Sequence, residues 1–121
     1  MKYMLLVHHD QKVLEDIGEA ELQKLRGESV QLANAIDASG RYVDAAPLER
    51  AATAACIRVR DGKRFITDGP FAETREQLGG YFLVTADSME EAVELGAQIP
   101  GARIGTVEVR QVVELPGLPR K

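Results

Sequence analysis

The chain has 121 residues, of which 45% are hydrophobic and 28% charged, a composition typical of one globular domain. Its net charge is −4 with both signs interspersed, so no basic stripe is present and nucleic-acid binding is not expected. Cys56 is the single cysteine, which excludes an intramolecular disulfide and a cysteine-based metal cluster. No apolar run has the length of a membrane span, so no membrane association is expected.

The first segment of the chain is an almost continuous apolar run from Tyr3 to Val7. Such a run predicts a central strand that is covered on both faces. It lacks a small-residue cleavage site and is followed at once by His8, His9 and Asp10, so we expect a strand, not a signal peptide, and a cytoplasmic protein.

A helix is predicted from Glu19 to Ser39, after a polar connection over residues 10–18, and Gly40 supplies its stop signal. Alternating spacings of three and four residues trace one helical face. The members of this face are Leu22, Leu25, Ser29, Leu32 and Ile36. Ser29 is the one polar residue among them.

The middle of the chain predicts an extended or looped segment over Arg41–Arg50 and then a strand over Thr53–Arg60. Asp61-Gly62 is a tight-turn signal, and Phe65–Thr67 predicts a short return strand. The remaining elements are a strand over Tyr81–Thr85, a helix that Ser88 caps, and a last strand over Thr106–Glu114. The predicted buried faces of the last two elements are Met89, Ala92, Val93, Gly96 and Ile99 on the helix, and Val107, Val109 and Val113 on the strand.

This order of elements is typical of the α+β ferredoxin-like plan, also known as the dimeric α/β barrel type. We predict a four-stranded antiparallel sheet plus a short return strand, with two helices on one face. We expect the domain to cover residues 1–115 and residues 116–121, with two prolines, to form a loose tail. The opposite face of the sheet needs cover, so we expect a homodimer in which two sheets pack face to face.

The run from Thr67 to Tyr81, TDGPFAETREQLGGY, closely resembles the signature of the DGPF-type branch of the YCII-related family. Met1–Val7, Arg58–Lys63 and Val107–Arg110 resemble the first strand, the hairpin and the last strand of that family, so the likeness covers nearly the whole chain. The resemblance implies a dimeric ferredoxin-like fold and a biochemical role that is mostly unassigned. It also implies, for some members, association with an extracytoplasmic-function sigma factor.

The resemblance also implies a His–Asp pair whose histidine lies on the first helix. That position falls on Ser29 in this chain, and a serine is not a general base at neutral pH. A structural role for Ser29, with its hydroxyl bonded to a backbone carbonyl or to a polar neighbour in the pocket, is favoured over a role as nucleophile.

Three residues are candidates for acid–base chemistry: His8, Asp10 and Asp68. His8 and Asp10 share one side of the first strand, where Asp10 can orient the imidazole. The competing interpretation is a solvated strand end with a capping aspartate. For Asp68, a local turn role before Gly69-Pro70 is favoured over catalysis.

Candidate ligand-binding residues are Ser29, Arg58, Phe71, Glu73 and Tyr81. Arg58 offers a bidentate partner for an anion, against the alternative of a surface ion pair. Phe71 and Glu73 belong to a loop between Asp68 and Gly80 that is expected to line a cleft or to wrap a dimer interface. Cys56 is expected to be a small core residue.

Two functions are compatible with these features. One is an enzyme with cofactor-independent proton-transfer or lyase-type chemistry on a small polar or anionic molecule. The other is a non-catalytic ligand-binding or regulatory module. Phosphate-binding glycine loops and zinc spacings are absent from the sequence, so we expect no metal and no stable cofactor.

Overall fold

A computed structural model of the chain describes residues 1–72 and 74–119. Two short 3₁₀ turns, Ala51–Thr53 and Pro100–Arg103, precede the third and the last strand. None of the helices in the described segments combines the length and apolar character that crossing a bilayer requires. The strands and α-helices are β1 (Lys2–Asp10), α1 (Gln11–Ala38), β2 (Tyr42–Pro47), β3 (Ala55–Arg60), β4 (Lys63–Asp68), β5 (Glu76–Thr85), α2 (Met89–Ala97) and β6 (Gly105–Gln111).

Four strands form one antiparallel sheet in the order β2-β5-β1-β6. Both helices pack on the same face of this sheet. Ile36 of α1 belongs to the core cluster, and a Cβ on Gly96 of α2 would meet Val107 Cγ1 of β6 at 3.3 Å. The predicted ferredoxin-like α+β class, with two helices on one face of a four-stranded antiparallel sheet, is confirmed.

The core lies between this sheet and the two helices. From Tyr3 to Val7 of β1, every second residue is buried, because successive side chains of a strand point to opposite faces. Tyr3, Leu5 and Val7 therefore face the helices, and Phe82 and Val84 of β5 lie beside them. Each such fully buried apolar side chain contributes about 1.5–3 kcal/mol to stability.

Helix α1 begins at Gln11, earlier than the predicted start at Glu19. The reason is a cap: the Asp10 carboxylate accepts a hydrogen bond from the Lys12 backbone N–H at 2.9 Å. At Gly18 the backbone leaves the helical region with φ 84° and ψ 167°, so a kink separates the first turns from the rest. The predicted stripe faces the sheet, and its members are buried or half-buried: Leu22, Leu25, Ser29, Leu32 and Ile36.

One of the four strands of the main sheet is not the strand that the sequence predicted. We expected Thr53–Arg60 in the main sheet, but β2 takes that place as an edge strand. Its terminal Pro47 is tolerated at a sheet edge, where no partner needs its backbone N–H. The predicted strand and return strand pair instead with each other as a separate two-stranded sheet, β3-β4. Asp61 and Gly62, with φ of 51° and 76°, form the predicted tight turn between them.

The Ser88 hydroxyl caps α2 as predicted, accepting from the Glu91 backbone N–H at 3.2 Å. The predicted buried face of this helix is confirmed for Ala92, Gly96 and Ile99 and is wrong for Met89 and Val93, which are exposed. The two buried residues within α2, Ala92 and Gly96, are small, which allows α2 to lie close to β6.

The end of the chain also differs from the prediction. Strand β6 ends at Gln111, so Val113 lies beyond the sheet and is 77% exposed, whereas Val107 and Val109 pack against the core. Of the predicted tail over residues 116–121, the last two residues lie outside the described part of the chain.

Candidate ligand-binding cleft

A cleft of about 1010 Å³ lies between α1 and the helix-facing side of the sheet. This volume is at the upper end of the range of small-molecule sites, about 300–1,000 Å³. Its walls come from α1, the end of β1, β2 with the segment after it, and the middle of β5. The apolar part of the lining consists mainly of Val7, Leu14, Leu22, Leu25, Leu48 and Phe82.

His9 is a polar residue at the sheet side of the cleft. It follows Tyr3, Leu5 and Val7 on the helix-facing side of β1, because side chains on a strand alternate with a period of two. The imidazole of His9 therefore lies at the boundary between the apolar core and the cleft.

A β-bulge in β5 provides the space for this imidazole. Val7 pairs with Gly80 and His8 with Leu78, so Gly79 has no partner on β1. A Cβ on Gly79 would lie 1.9 Å from Cε1 of His9 and 2.7 Å from each ring nitrogen. Only glycine accommodates the imidazole ring in this position.

The surroundings of His9 favour a neutral imidazole. Burial lowers the pKa of His9 below its ordinary value of 6.5, and the negative charge of Glu76 partly offsets that effect. Nδ1 of the ring is buried and has no hydrogen-bond partner among the described residues. A neutral ring with a free nitrogen can accept a proton or a hydrogen bond from a bound molecule.

Ser29 lies on the opposite wall of the cleft, on α1. Its hydroxyl donates to the Leu25 backbone carbonyl at 3.0 Å, the structural role that the sequence favoured. The charged residues of the lining are of both signs, with Arg26 and Arg50 as cations and Glu15, Glu19, Asp37 and Glu49 as acids.

His8, a predicted acid–base residue, lies on the opposite face of the sheet from His9. Its Nε2 atom is 3.1 Å from Oε1 of Glu108 on the neighbouring strand β6. The Asp10 carboxylate caps α1, as the competing interpretation of this strand end had it, and His8 has a cross-strand partner in Glu108 instead of Asp10.

Three other predicted site residues lie on or next to the β3-β4 hairpin. Arg58 stacks on Phe71, with Cζ 5.6 Å from the ring centroid, and Asp68 is the exposed last residue of β4. Of the glycine-flanked segment 68–80, only Gly79 and Gly80 line the cleft in the described part of the chain. Glu73 lies outside the described residues. Cys56 is half-buried in the hairpin, where Sγ donates to the Gly69 carbonyl at 3.3 Å, so it is not a core residue.

Tyr81 lies where β5 meets β2, and its hydroxyl donates to Oδ2 of Asp44 at 2.7 Å. This hydrogen bond, together with the nearby negative charge, raises the pKa of Tyr81 above its ordinary value of 10.0. The phenol is thus held in its neutral form by a partner on the same chain.

The structure thus brings Ser29, Tyr81 and the two glycines to one cleft. It places His8 on the opposite face of the sheet, and Arg58, Asp68 and Phe71 on or next to the β3-β4 hairpin. Sequence reasoning missed His9 and the reason for Gly79. The signal was available, since His9 continues the alternation of Tyr3, Leu5 and Val7. No group of three metal-ligating side chains occurs within residues 1–72 and 74–119.

The fold and the cleft define a small ferredoxin-like α+β protein with a ligand-sized cleft between its first helix and its sheet. The family profile of the YCII-related domain matches residues 1–116, and the chain belongs to the YCII-related family. It is similar to "Uncharacterized protein R00369" from Rhizobium meliloti (strain 1021), with 30% identity over 112 residues that cover 91% of this chain and 90% of the relative.

Proposed function

We propose that the protein binds a small molecule in the cleft between α1 and the sheet, with His9 as the polar group that recognises it. The observation that carries the proposal is the buried, unpartnered Nδ1 of His9 at the sheet side of a cleft of about 1010 Å³. A buried polar atom without a partner costs about 1–3 kcal/mol, which a bound ligand that supplies the hydrogen bond recovers.

The lining indicates the chemical class of the ligand. Its apolar walls favour a ligand with an apolar body. The ligand also needs one polar group on the side that faces the sheet, where it can form a hydrogen bond with His9. Arg26 and Arg50 offer partners for one carboxylate or phosphate, while four acids in the same lining disfavour a polyanion. We therefore expect a neutral or singly anionic ligand.

The same geometry supports acid–base chemistry by His9 in place of His8. A neutral imidazole next to a bound substrate can accept a carbon-bound or hydroxyl proton without a cofactor. This proposal places the base on β1 and leaves Ser29 as part of the wall.

One observation favours the non-catalytic alternative. The Ser29 hydroxyl is engaged with the Leu25 carbonyl, so α1 supplies no second acid–base group at the position where the family resemblance implies one. In the non-catalytic alternative, His9 binds the ligand and transfers no proton. Association with a sigma factor and assignment to the DGPF-type branch remain predictions from the sequence.

Thermal-shift screening against small carboxylates, monophosphates and neutral polar metabolites tests the binding proposal. A compound that binds in the cleft raises the Tm of the wild type and of His8→Asn, the matched control on the outer face, but not of His9→Asn. A compound that stabilises His9→Asn as much as the wild type, or a library without any stabilising compound, contradicts the proposal.

Hydrogen exchange of the bound compound separates the two alternatives. If His9 acts as a base, a carbon-bound proton of the ligand exchanges in D₂O with the wild type and not with His9→Gln, measured by NMR at saturating ligand. Binding without exchange supports the non-catalytic module.

A further inference from the structure

Arg50 lines the same end of the cleft as His9. Strands β1 and β2 both pair antiparallel with β5, so they run in the same direction. Gly80 of β5 pairs with Val7 on one side and with Pro47, the last residue of β2, on the other. His9 lies two residues further along β1, and Arg50 lies three residues beyond the end of β2. Both residues line the cleft, and β1 and β2 are two strand spacings apart, about 10 Å.

Hydrogen bonds fix the backbone on both sides of Arg50. Before it, the Leu48 N–H donates at 2.9 Å to the carbonyl of Gly79, the residue over which the His9 ring lies. After it, the Arg50 carbonyl accepts from the Thr53 N–H at 2.9 Å and from the Thr53 hydroxyl at 2.7 Å. Gly79 therefore connects the imidazole with the segment that carries Arg50. A backbone that is already ordered lowers the entropic cost of binding a ligand at this side chain.

The guanidinium of Arg50 is available to a ligand. Within residues 1–72 and 74–119 it forms no ion pair or hydrogen bond, whereas the guanidinium groups of Arg41 and Arg103 each pair with a glutamate. An arginine presents its N–H donors in a planar arrangement that binds a carboxylate through two parallel hydrogen bonds. Arg50 is therefore an anion-binding group beside the imidazole of His9.

Two acids on α1 limit the ligand to one negative charge. Helix α1 follows β1 directly, so its first turns lie at the end of the cleft where β1 ends. Glu15 and Glu19 belong to these turns and line the cleft, where they repel a second carboxylate. Arg26, the other cation of the lining, follows Glu19 by seven residues and lies about 10 Å further along the helix. Arg50 is thus the cation of the lining at the His9 end.

We propose that Arg50 makes the cleft specific for a hydroxy monocarboxylate with an apolar body, in which the hydroxyl group lies one or two carbons from the carboxylate. The Arg50 guanidinium binds the carboxylate, the ligand hydroxyl donates to the His9 imidazole, and the apolar body lies against the apolar walls. The long side chain of Arg50 covers much of the distance between the two strands, so the two polar groups of the ligand are only a few bonds apart. This inference rests on the proposed function, because it assigns a ligand class to the same cleft.

Isothermal titration calorimetry at neutral pH with three probes tests the proposal. The probes are 3-phenyllactate, 3-phenylpropanoate, which lacks the hydroxyl, and 3-phenylpropane-1,2-diol, which lacks the carboxylate. The wild type is expected to bind 3-phenyllactate about tenfold or more tightly than either of the other two, because each of them lacks one of the two hydrogen-bonding groups.

Variants of the two binding residues separate their roles. Arg50→Gln should weaken the binding of both carboxylates about tenfold to a hundredfold and leave that of the diol unchanged, and Arg50→Lys should recover part of the loss. His9→Asn should weaken the binding of the two hydroxylated probes and leave that of 3-phenylpropanoate unchanged. Arg64→Gln, which removes one positive charge from the exposed strand β4, should change none of these affinities.

Arg50 is exposed and holds the turn through its backbone carbonyl, so its side-chain variants are expected to keep the wild-type Tm. Equal losses with Arg50→Gln and Arg64→Gln overturn the assignment of Arg50. A preference for carboxylates that Arg26→Gln removes and Arg50→Gln retains overturns it as well.

The failure of this inference is distinguishable from the failure of the proposed function. A wild type that binds other library compounds through His9, but none of the three probes, overturns the ligand class and leaves the binding proposal intact. A wild type that binds no compound, or a His9→Asn variant that binds all of them as tightly as the wild type, contradicts both.

Discussion

The ring of His9 occupies the space that a side chain at residue 79 would fill, with Cε1 only 1.9 Å from the position of a Cβ on Gly79. The bulge that isolates Gly79 from the β1 ladder and the imidazole that lines the cleft are therefore one structural unit. A substitution at either residue is expected to change the other.

Gly79→Ala tests this coupling directly. We expect a loss of about 1–3 kcal/mol in the free energy of unfolding, because the methyl group overpacks against the imidazole. In a His9→Ala background the same substitution should cost much less, since the ring is gone. Urea unfolding of the four proteins of this double-mutant cycle gives the coupling energy.

Gly27→Ala is the matched glycine control. Gly27 lies within α1, and a Cβ there meets nothing within 4 Å. It should stabilise the protein by about 0.5–1 kcal/mol, because alanine is the better helix former. Equal costs for Gly79→Ala with and without the His9 ring would contradict the coupling.

The lowered pKa of His9 predicts a pH dependence of stability. The unfolded chain takes up the proton at the ordinary pKa of 6.5, while the folded chain takes it up only at lower pH. Between these two values the unfolded state binds more protons, so stability falls as the pH falls below about 6.5 and the loss is complete below the folded pKa. Above that window His9 contributes no pH dependence.

The measurement is thermal unfolding over a pH series with three proteins. The difference in Tm between wild type and His9→Asn should change as the pH falls through 6.5, while the difference between wild type and His8→Asn should lack this destabilisation. Glu76 and His8 are the neighbours whose charges act on His9. A constant difference for His9→Asn would show that burial does not shift its pKa.

The hydrogen bond from Tyr81 to Asp44 predicts the titration of the phenol. Asp44→Asn should lower the pKa of Tyr81 back toward 10.0, because the variant removes both the carboxylate acceptor and its charge. Phenolate absorbance against pH measures this value, and Tyr81→Phe identifies its contribution among the three tyrosines. An unchanged titration in Asp44→Asn would disprove the interaction.

The cap of α2 predicts a stability effect far from the cleft. Ser88→Ala should cost about 1 kcal/mol, because the Glu91 backbone N–H loses its acceptor. Ser88→Gly should cost only a few tenths of a kcal/mol. Chemical denaturation measures both, and a loss that is the same for alanine and glycine would argue against a capping role.

The sequence by itself determined the fold class, because the order of strand and helix patterns is that of the ferredoxin-like plan. The Leu22–Ile36 stripe likewise identified the helix face that must be buried. The sequence also determined the Asp61-Gly62 turn and the Ser88 cap, where the residue type dictates the local backbone. These features depend on neighbours in sequence. Membership of the YCII-related family likewise followed from the sequence.

Only the tertiary structure decided which strands pair and which side chains meet. Strand β2 displaced Thr53–Arg60 from the main sheet, because strand pairing depends on competition between segments that are distant along the chain. In the same way, His8 contacts Glu108 on the neighbouring strand and not Asp10, and a bulge in β5 provides the space for His9. The free energies of long-range contacts are set by three-dimensional packing, so a one-dimensional pattern does not specify them.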